Sequence, residues 1–180
     1  MRKILSLLLG VGLLFSLADG VYAQNKYVGV KMCAPCHRSE KQGKQFDIWK
    51  GSKHAEAYKT LTSAKADEIA KSKGFKTAAV ETAECLECHT VTGDAKMFEK
   101  TFDVKDGVQC EKCHGAGSAY KSITVMKDQA KAVAAGLHIW KSDAEIESLC
   151  KTCHNEKSPT NKAFDFKEMW PKIKHTVPKG

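Results

Sequence analysis

The sequence predicts a mainly α-helical fold, made of short helices that are joined by loops. Strand signals are nearly absent, because no segment keeps an apolar–polar alternation and no Asn-Gly or Asp-Gly turn joins two β-branched runs. Helix-capping residues and glycine stop signals, in contrast, recur along the chain. The third observation is a five-residue word, C-x-x-C-H, that occurs four times and contains all eight cysteines.

Start and stop signals predict five helices. The first runs from Gln45 to Leu61 and carries His54, Tyr58 and Leu61 on one face. The others are a helix capped by Ser63 that stops at Gly74, a helix capped by Ser118 that stops at Gly136, a helix that starts from a capping box at Ser142 to Glu145, and a helix from Asn161 to Trp170. These helices are separated by loops and need not pack as a bundle.

Residues 1–23 are predicted to be a secretory signal peptide. Arg2 and Lys3 precede an apolar run from Ile4 to Leu17, and Val21-Tyr22-Ala23 fits a small-x-small cleavage site. The apolar run is too short and wrongly flanked for a resident transmembrane helix, and no later segment reaches spanning length. We therefore expect a periplasmic protein without a transmembrane segment, whose residues 24–180 form a single domain.

A histidine directly follows each cysteine pair. The four words comprise Cys33, Cys36 and His37; Cys85, Cys88 and His89; Cys110, Cys113 and His114; and Cys150, Cys153 and His154. C-x-x-C-H is the attachment signature of c-type haem. Thiols three residues apart lie on one side of a helical turn, where they reach the two vinyl groups, and the next residue places an imidazole under the iron. The sequence therefore predicts four covalently attached haem c groups.

Two other uses of paired cysteines are less compatible with this pattern. Paired C-x-x-C words form zinc sites, and exported proteins often use cysteines in disulfides. Neither use explains a histidine after every pair. The formal net charge of +8 is no argument for a nucleic-acid partner, because haem propionates would offset most of it.

The number of histidines limits how the four irons are coordinated. Four irons have eight axial positions, and the chain has seven histidines. His54, His138 and His175 lie outside the haem words and are predicted to be distal ligands, which would make low-spin, electron-transferring irons. One iron is then a ligand short. Met97, Met126 or a lysine fills that position, or, as the simpler hypothesis, that haem is five-coordinate and can bind ligands.

With these motifs in place, the chain resembles the tetrahaem cytochrome c-554 family over nearly all of residues 24–180. The resemblance rests on CAPCH followed by WKGSKHAEAY, on CLECHTVTG, on GVQCEKCHGAGSAY, on GLHIWKSDAEIESLCKTCHNEKSP and on FDFKEMWPKIKH. The more specific parts are S-x-H-A at Ser52 to Ala55 and G-V-x-C-E-x-C-H-G at Gly107 to Gly115.

The resemblance implies helices and loops wrapped around four closely packed haems, three with two histidine ligands and one five-coordinate at the second word. The ligand pairs it implies are His37 with His138, His114 with His175, and His154 with His54, which leaves His89 as the lone ligand of its iron. It also implies upstream and downstream redox proteins as partners, and a small diatomic ligand at the open haem.

Three functions follow from these features. The leading hypothesis is electron transfer, because every identifiable chemical group serves haem attachment or ligation. The alternative is a reductase of a small nitrogen or oxygen species, such as nitric oxide, at the open haem. Such an enzyme needs an acid or base over the empty face, and all histidines are already assigned, so we assign no catalytic residue. A third hypothesis is a cytochrome filament.

Overall fold

The computed structural model describes residues 24–178, so the predicted signal peptide lies outside the described residues. Within that range the chain forms ten α-helices of nine residues or fewer. In chain order these are α1 Ala34–His37, α2 Gln45–Lys50, α3 Ala57–Thr60, α4 Ala64–Ser72, α5 Ala83–His89, α6 Cys110–His114, α7 Ile123–Met126, α8 Gln129–Ala134, α9 Asp143–Lys151 and α10 Phe166–Met169. The β pairing of this range is one isolated bridge, Tyr27 with Phe98. The prediction of a mainly α fold is confirmed.

Two of the predicted helix starts are confirmed by their caps. The Ser63 hydroxyl accepts a hydrogen bond from the Ala66 N–H at 3.2 Å, and α4 ends before Gly74, where φ is 86°. The Ser142 hydroxyl likewise accepts from the Glu145 N–H at 3.3 Å at the start of α9. Both capping hydrogen bonds are local, because each serine hydroxyl accepts from an N–H only three residues further along the chain.

The helix predicted from 45 to 61 is broken into α2 and α3, so that prediction was wrong. Helix α2 ends at Lys50, and the next residue is Gly51, a poor helix former that carries no side chain to pack. After the break, the backbone carbonyl of His54 accepts a hydrogen bond from the Val108 N–H at 2.9 Å. A contact 54 residues away along the chain thus replaces the hydrogen bond that a continuous helix would make there.

The helix predicted to start at Ser118 was also placed wrongly. Ser118 instead pairs with Lys26: its hydroxyl accepts from the Lys26 N–H at 2.8 Å, and its own N–H donates to the Lys26 carbonyl at 3.0 Å. Ser122 and Asp128 are the caps of α7 and α8. The predicted stop at Gly136 is correct, since φ there is 102°.

The last predicted helix is shorter than expected. Its helical part begins at Phe166, after the cap Asp165, rather than at Asn161. The preceding residues are not helical, and this part of the chain brings the Phe164 ring to 4.7 Å from the ring of His154, in a stacked arrangement. Phe164 thus packs against His154 of the fourth haem word in the stretch where the first predicted helical turn is missing.

Residues 28–30 form the most completely buried segment of the described chain. Val28 and Val30 are 0% and 2% exposed. The N–H groups of Val28 and Gly29 donate to the Glu111 carboxylate at 2.9 and 2.7 Å, and the Val30 N–H donates to Gln109 at 2.7 Å. Residues 28–30 are therefore fastened to α6, which carries the third haem word.

Conventional hydrophobic packing is limited in residues 24–178. One small core cluster joins Leu61, Ala70 and Ala79, with Phe75 and Leu86 packed against it. Tyr27, Phe98 and Phe102 form a separate aromatic group, and other large apolar side chains such as Trp49, Trp140 and Leu149 line a cavity. Within the same range, no helix has the length and apolar character needed to cross a bilayer.

Candidate haem site

All four C-x-x-C-H words contribute to the walls of one cavity of about 590 Å³. Cysteine and histidine side chains of every word line it, together with His54 and His175. The rest of the wall is mainly apolar and includes Trp49, Trp140 and Ile146. Thiols, imidazoles and apolar surface facing one space are the combination that a covalently held porphyrin requires, so the residues present fit haem c.

The words have the local geometry that the spacing predicts. The His37 N–H donates to the Cys33 carbonyl at 3.1 Å, and the His154 N–H donates to the Cys150 carbonyl at 2.9 Å. Each bond spans four residues and closes one helical turn. The histidine therefore lies one turn beyond the first cysteine, on the same side of the chain. All eight cysteines are free thiols.

Two pairs of histidines from distant parts of the chain face each other across the cavity. The ring centres of His54 and His154 are 6.1 Å apart, and those of His114 and His175 are also 6.1 Å apart. Two metal–nitrogen bonds of about 2 Å each span about 4 Å of such a distance. The remainder is close to two imidazole half-widths, so a single iron fits between the rings of each pair.

His138 has a different environment. Its ring stacks on Trp140 at 4.9 Å, and Trp140 in turn meets the ring of His114 edge-on at 5.2 Å. Its backbone is tied to the third word in both directions: the His138 N–H donates to the His114 carbonyl at 2.9 Å, and His114 Nδ1 lies 3.1 Å from the His138 carbonyl. Among the described residues, the structure records no ring pair between His138 and His37.

Polar contacts at the Nδ1 atom orient four of the imidazole rings. The Nδ1 atoms of His89, His114 and His175 lie 2.7, 3.1 and 2.9 Å from backbone carbonyls of Ala57, His138 and Ile173, and Nδ1 of His37 lies 3.3 Å from the side-chain oxygen of Gln45. A carbonyl at Nδ1 requires the hydrogen to be there, which leaves Nε2 free for a metal. The contacts thus select the tautomer that ligation needs.

Burial also favours the ligating form of the histidines. It lowers the pKa of His54, and the neighbouring His154 lowers it further. Burial likewise lowers the pKa of His114. A lowered pKa means that the imidazole is neutral at pH 7, and only the neutral ring binds a metal.

The thiols of different words lie next to each other. Contact with the Cys33 thiol raises the pKa of Cys110, and burial, together with the nearby Cys153, raises the pKa of Cys88 to about 11. Thiols with raised pKa values are not the activated thiolates of cysteine enzymes. The same contacts bring the first word beside the third, and the second word beside the fourth.

The S-x-H-A motif at Ser52 to Ala55 contacts the start of the G-V-x-C-E-x-C-H-G motif at Gly107. A Cβ at Gly107, where φ is 72°, would lie 2.6 Å from the carbonyl oxygen of His54. The next residue, Val108, donates its N–H to that carbonyl and accepts from the Trp49 indole at 2.8 Å. Only glycine allows this approach, and the contact fixes the turn that carries His54.

Sequence analysis missed the role of Glu111. This carboxylate lies between the cysteines of the third word, is 2% exposed, and also accepts from the Gly117 N–H at 2.7 Å. Glu87 of the second word is exposed. The C-x-x-C-H spacing alone does not separate the two glutamates. Among the described residues, no group of three or more His, Cys, Asp or Glu side chains is arranged to hold a metal ion.

Comparisons with known proteins agree with this site. The family model described as "Cytochrome c554 and c-prime" matches residues 32–115, which contain the first three words. Cytochrome c-554 of Nitrosomonas europaea is 28% identical over 155 residues, covering 78% of this chain and 63% of that protein. The C-type polyheme cytochrome OmcC of Geobacter sulfurreducens is 29% identical over 85 residues, covering 43% of this chain and 10% of that protein. No solved structure matches the chain.

The helical fold, the haem words around one cavity and these similarities are those of a multihaem c-type cytochrome. Over residues 32–115 the chain is similar to the cytochrome c-554 family. It spans less than two thirds of the length of each of the two relatives.

Proposed function

We propose that residues 24–180 form a single domain that binds four haem c groups and passes electrons between an upstream and a downstream redox protein. The observation that carries this proposal is the pair of 6.1 Å ring separations, His54 with His154 and His114 with His175. Each separation suits an iron held on both faces, a low-spin arrangement that transfers electrons rather than binding substrate. When bound, the haems supply the one-electron chemistry.

The chain's own residues attach, orient and enclose the haems. The cysteine pairs would bind the haem covalently, and the histidine one turn later would ligate its iron. Backbone carbonyls at Nδ1 hold the rings of His89 and His114 in one orientation. The apolar wall, including Trp49 and Trp140, excludes water and so limits reorganisation when the charge on an iron changes.

The thiol contacts support closely spaced haems. Cys33 lies beside Cys110, and Cys88 lies beside Cys153. Haems attached to neighbouring thiols are themselves neighbours, because each thiol bonds directly to the porphyrin edge. We propose that the haems of the first and third words, and those of the second and fourth, form close pairs through which electrons move.

The haem at His89 is proposed to be five-coordinate. Seven histidines cannot fill eight positions. Neither His37 nor His89 has a ring partner among the described residues, and the family resemblance chooses His89 as the lone ligand. His138 is proposed to complete the iron at His37, as the family resemblance implies. An open position at His89 would accept a small diatomic ligand.

We also propose that residues 1–23 are removed on export and that the protein acts in the periplasm. The basic start, the apolar run and the small-x-small site before Gln24 support this proposal.

Intact-mass spectrometry of the exported protein tests the proposal. We expect a chain that starts at Gln24 with four haem additions, no zinc and no titratable thiol. Three haems or fewer, or a free cysteine in the holoprotein, would contradict the attachment of haem at every word.

A further inference from the structure

Lys44 has a backbone conformation that is unusual for its residue type. Its φ and ψ are 50° and 32°, and among the described residues it is the one non-glycine position with positive φ. A side chain with a Cβ adopts this left-handed conformation only when its surroundings enforce it. Strained positions of this kind concentrate at functional sites, and the residue that follows Lys44 is Gln45.

Gln45 is the first residue of α2, and its side chain reaches the first haem word. Its side-chain oxygen lies 3.3 Å from Nδ1 of His37, and both residues line the cavity. At His114 the Nδ1 contact runs to a backbone carbonyl, and at His89 it runs to the Ala57 carbonyl at 2.7 Å and to the Thr60 hydroxyl at 3.2 Å. His37 has a side-chain amide as its Nδ1 contact, which a change of side chain can strengthen or remove.

The start of α2 is fixed against the first word by further contacts. The Arg38 guanidinium lies 4.5 Å from the centre of the Phe46 ring, and its Nε lies 3.6 Å from the Asp47 carboxylate. The Phe46 ring packs against Trp49 at 5.6 Å and is 9% exposed. Because the residues that directly follow His37 and Gln45 are held against each other, the two side chains are brought together by the fold.

We propose that Gln45 is a positioning residue that orients His37 and sets the reduction potential of the haem on the first word. The inference rests on the proposed function, since it requires His37 to ligate iron through Nε2. The Nδ1–H of His37 then donates to the Gln45 amide oxygen. A stronger acceptor at Nδ1 makes the imidazole a better electron donor to the iron and favours the ferric state. A neutral amide is a moderate acceptor, between a carboxylate and no acceptor.

Two substitutions with opposite expected signs test the proposal in the complete holoprotein. Gln45→Glu keeps the shape and supplies a carboxylate, so it should lower the midpoint potential of one low-spin haem. Gln45→Leu removes the acceptor and should raise that potential. We expect a change of about tenfold in the reduction equilibrium of that haem, which is about 59 mV for a one-electron couple, measured by spectroelectrochemical titration.

Gln42→Glu is the matched control. It makes the same change of charge three residues earlier in the chain. Gln42 and His37 both lie among the described residues, and the structure records no hydrogen bond between them. The proposal expects a clearly smaller shift in this variant. An equal shift would overturn it, because the effect would then be one of charge alone.

The remaining outcomes also decide the proposal. Unchanged potentials in both Gln45 variants with four haems bound would overturn it, as would shifts of the same sign. Loss of a haem in both variants would overturn it too, since Gln45 would then serve assembly rather than the potential. If only Gln45→Leu loses a haem, the direction of the shift in Gln45→Glu still decides. Fewer than four haems in the unsubstituted protein would instead contradict the proposed function.

Discussion

At the scale of single residues, burial decides what identical side chains do. Glu87 and Glu111 both lie between the cysteines of a haem word, but Glu87 is exposed and Glu111 is buried with three backbone N–H groups around it. Those donors come from residues 28 and 29 and from Gly117. The Glu111 carboxylate therefore joins the start of the described chain, the third word and the loop after it.

Replacing Glu111 with glutamine should destabilise the holoprotein by about 1–3 kcal/mol. The amide nitrogen would present N–H groups to backbone donors that need an acceptor, and the charge that strengthens these bonds would be lost. Glu87→Gln is the control and should change stability by less than about 0.5 kcal/mol. Guanidinium unfolding followed by circular dichroism measures both. Equal stability of the two variants would show that the buried contacts of Glu111 contribute little.

At the scale of elements, the turn between α2 and α3 is held by the loop that precedes α6. The carbonyl of His54 accepts from Val108, and Gly107 lies too close for any side chain. His54, the proposed distal ligand, is thus positioned by the loop that leads to the third haem word.

Gly107→Ala should displace the turn and weaken ligation by His54. A Cβ there would meet the His54 carbonyl at 2.6 Å, and positive φ adds strain. We expect one low-spin haem to become high-spin or water-ligated, visible in the electronic absorption spectrum of the oxidised protein.

Gly74→Ala is the matched control for Gly107→Ala. Its φ is 86°, but a Cβ there would have nothing within 4 Å. It should cost about 1 kcal/mol of stability and leave the haem spectrum unchanged. If both alanine variants keep the parent spectrum, the approach of Gly107 does not position His54.

At the scale of the whole molecule, the haem cavity takes the place of a conventional core. The buried cluster around Leu61, Ala70 and Ala79 is small, whereas large apolar side chains such as Trp49, Trp140 and Leu149 line the cavity. Haem binding would therefore supply much of the folding free energy, as ligands that bind only the native state do.

The haem-free chain should accordingly be largely unfolded. Expression without haem attachment, followed by circular dichroism, should give little helical signal and no cooperative thermal transition. A cooperative transition near that of the holoprotein would mean that the described packing suffices without the cofactor.

Carbon monoxide should bind to one haem of the reduced protein. The proposed four haems and three distal histidines leave one open position, which we propose to be at His89. Sustained consumption of nitric oxide at a rate near that of electron input would instead favour the reductase. An unchanged absorption spectrum under carbon monoxide would mean that Met97, Met126 or a lysine closes the sixth position.

The sequence predicted the parts of the structure that depend on near neighbours. The caps at Ser63 and Ser142 need only residues within one turn, and the haem words need only five residues. The break after α2 is accompanied by a hydrogen bond from the Val108 N–H to the His54 carbonyl, which no local sequence pattern predicts. The left-handed Lys44 and the buried Glu111 were missed for the same reason, since residue type alone does not encode tertiary surroundings.

Electron paramagnetic resonance of the oxidised holoprotein tests the central claim most directly, because it counts iron spin states without any substitution. The account predicts signals of three low-spin irons and one high-spin iron per chain. Four low-spin irons would contradict the open haem at His89. Two or more high-spin irons would contradict the assignment of His54, His138 and His175 as distal ligands.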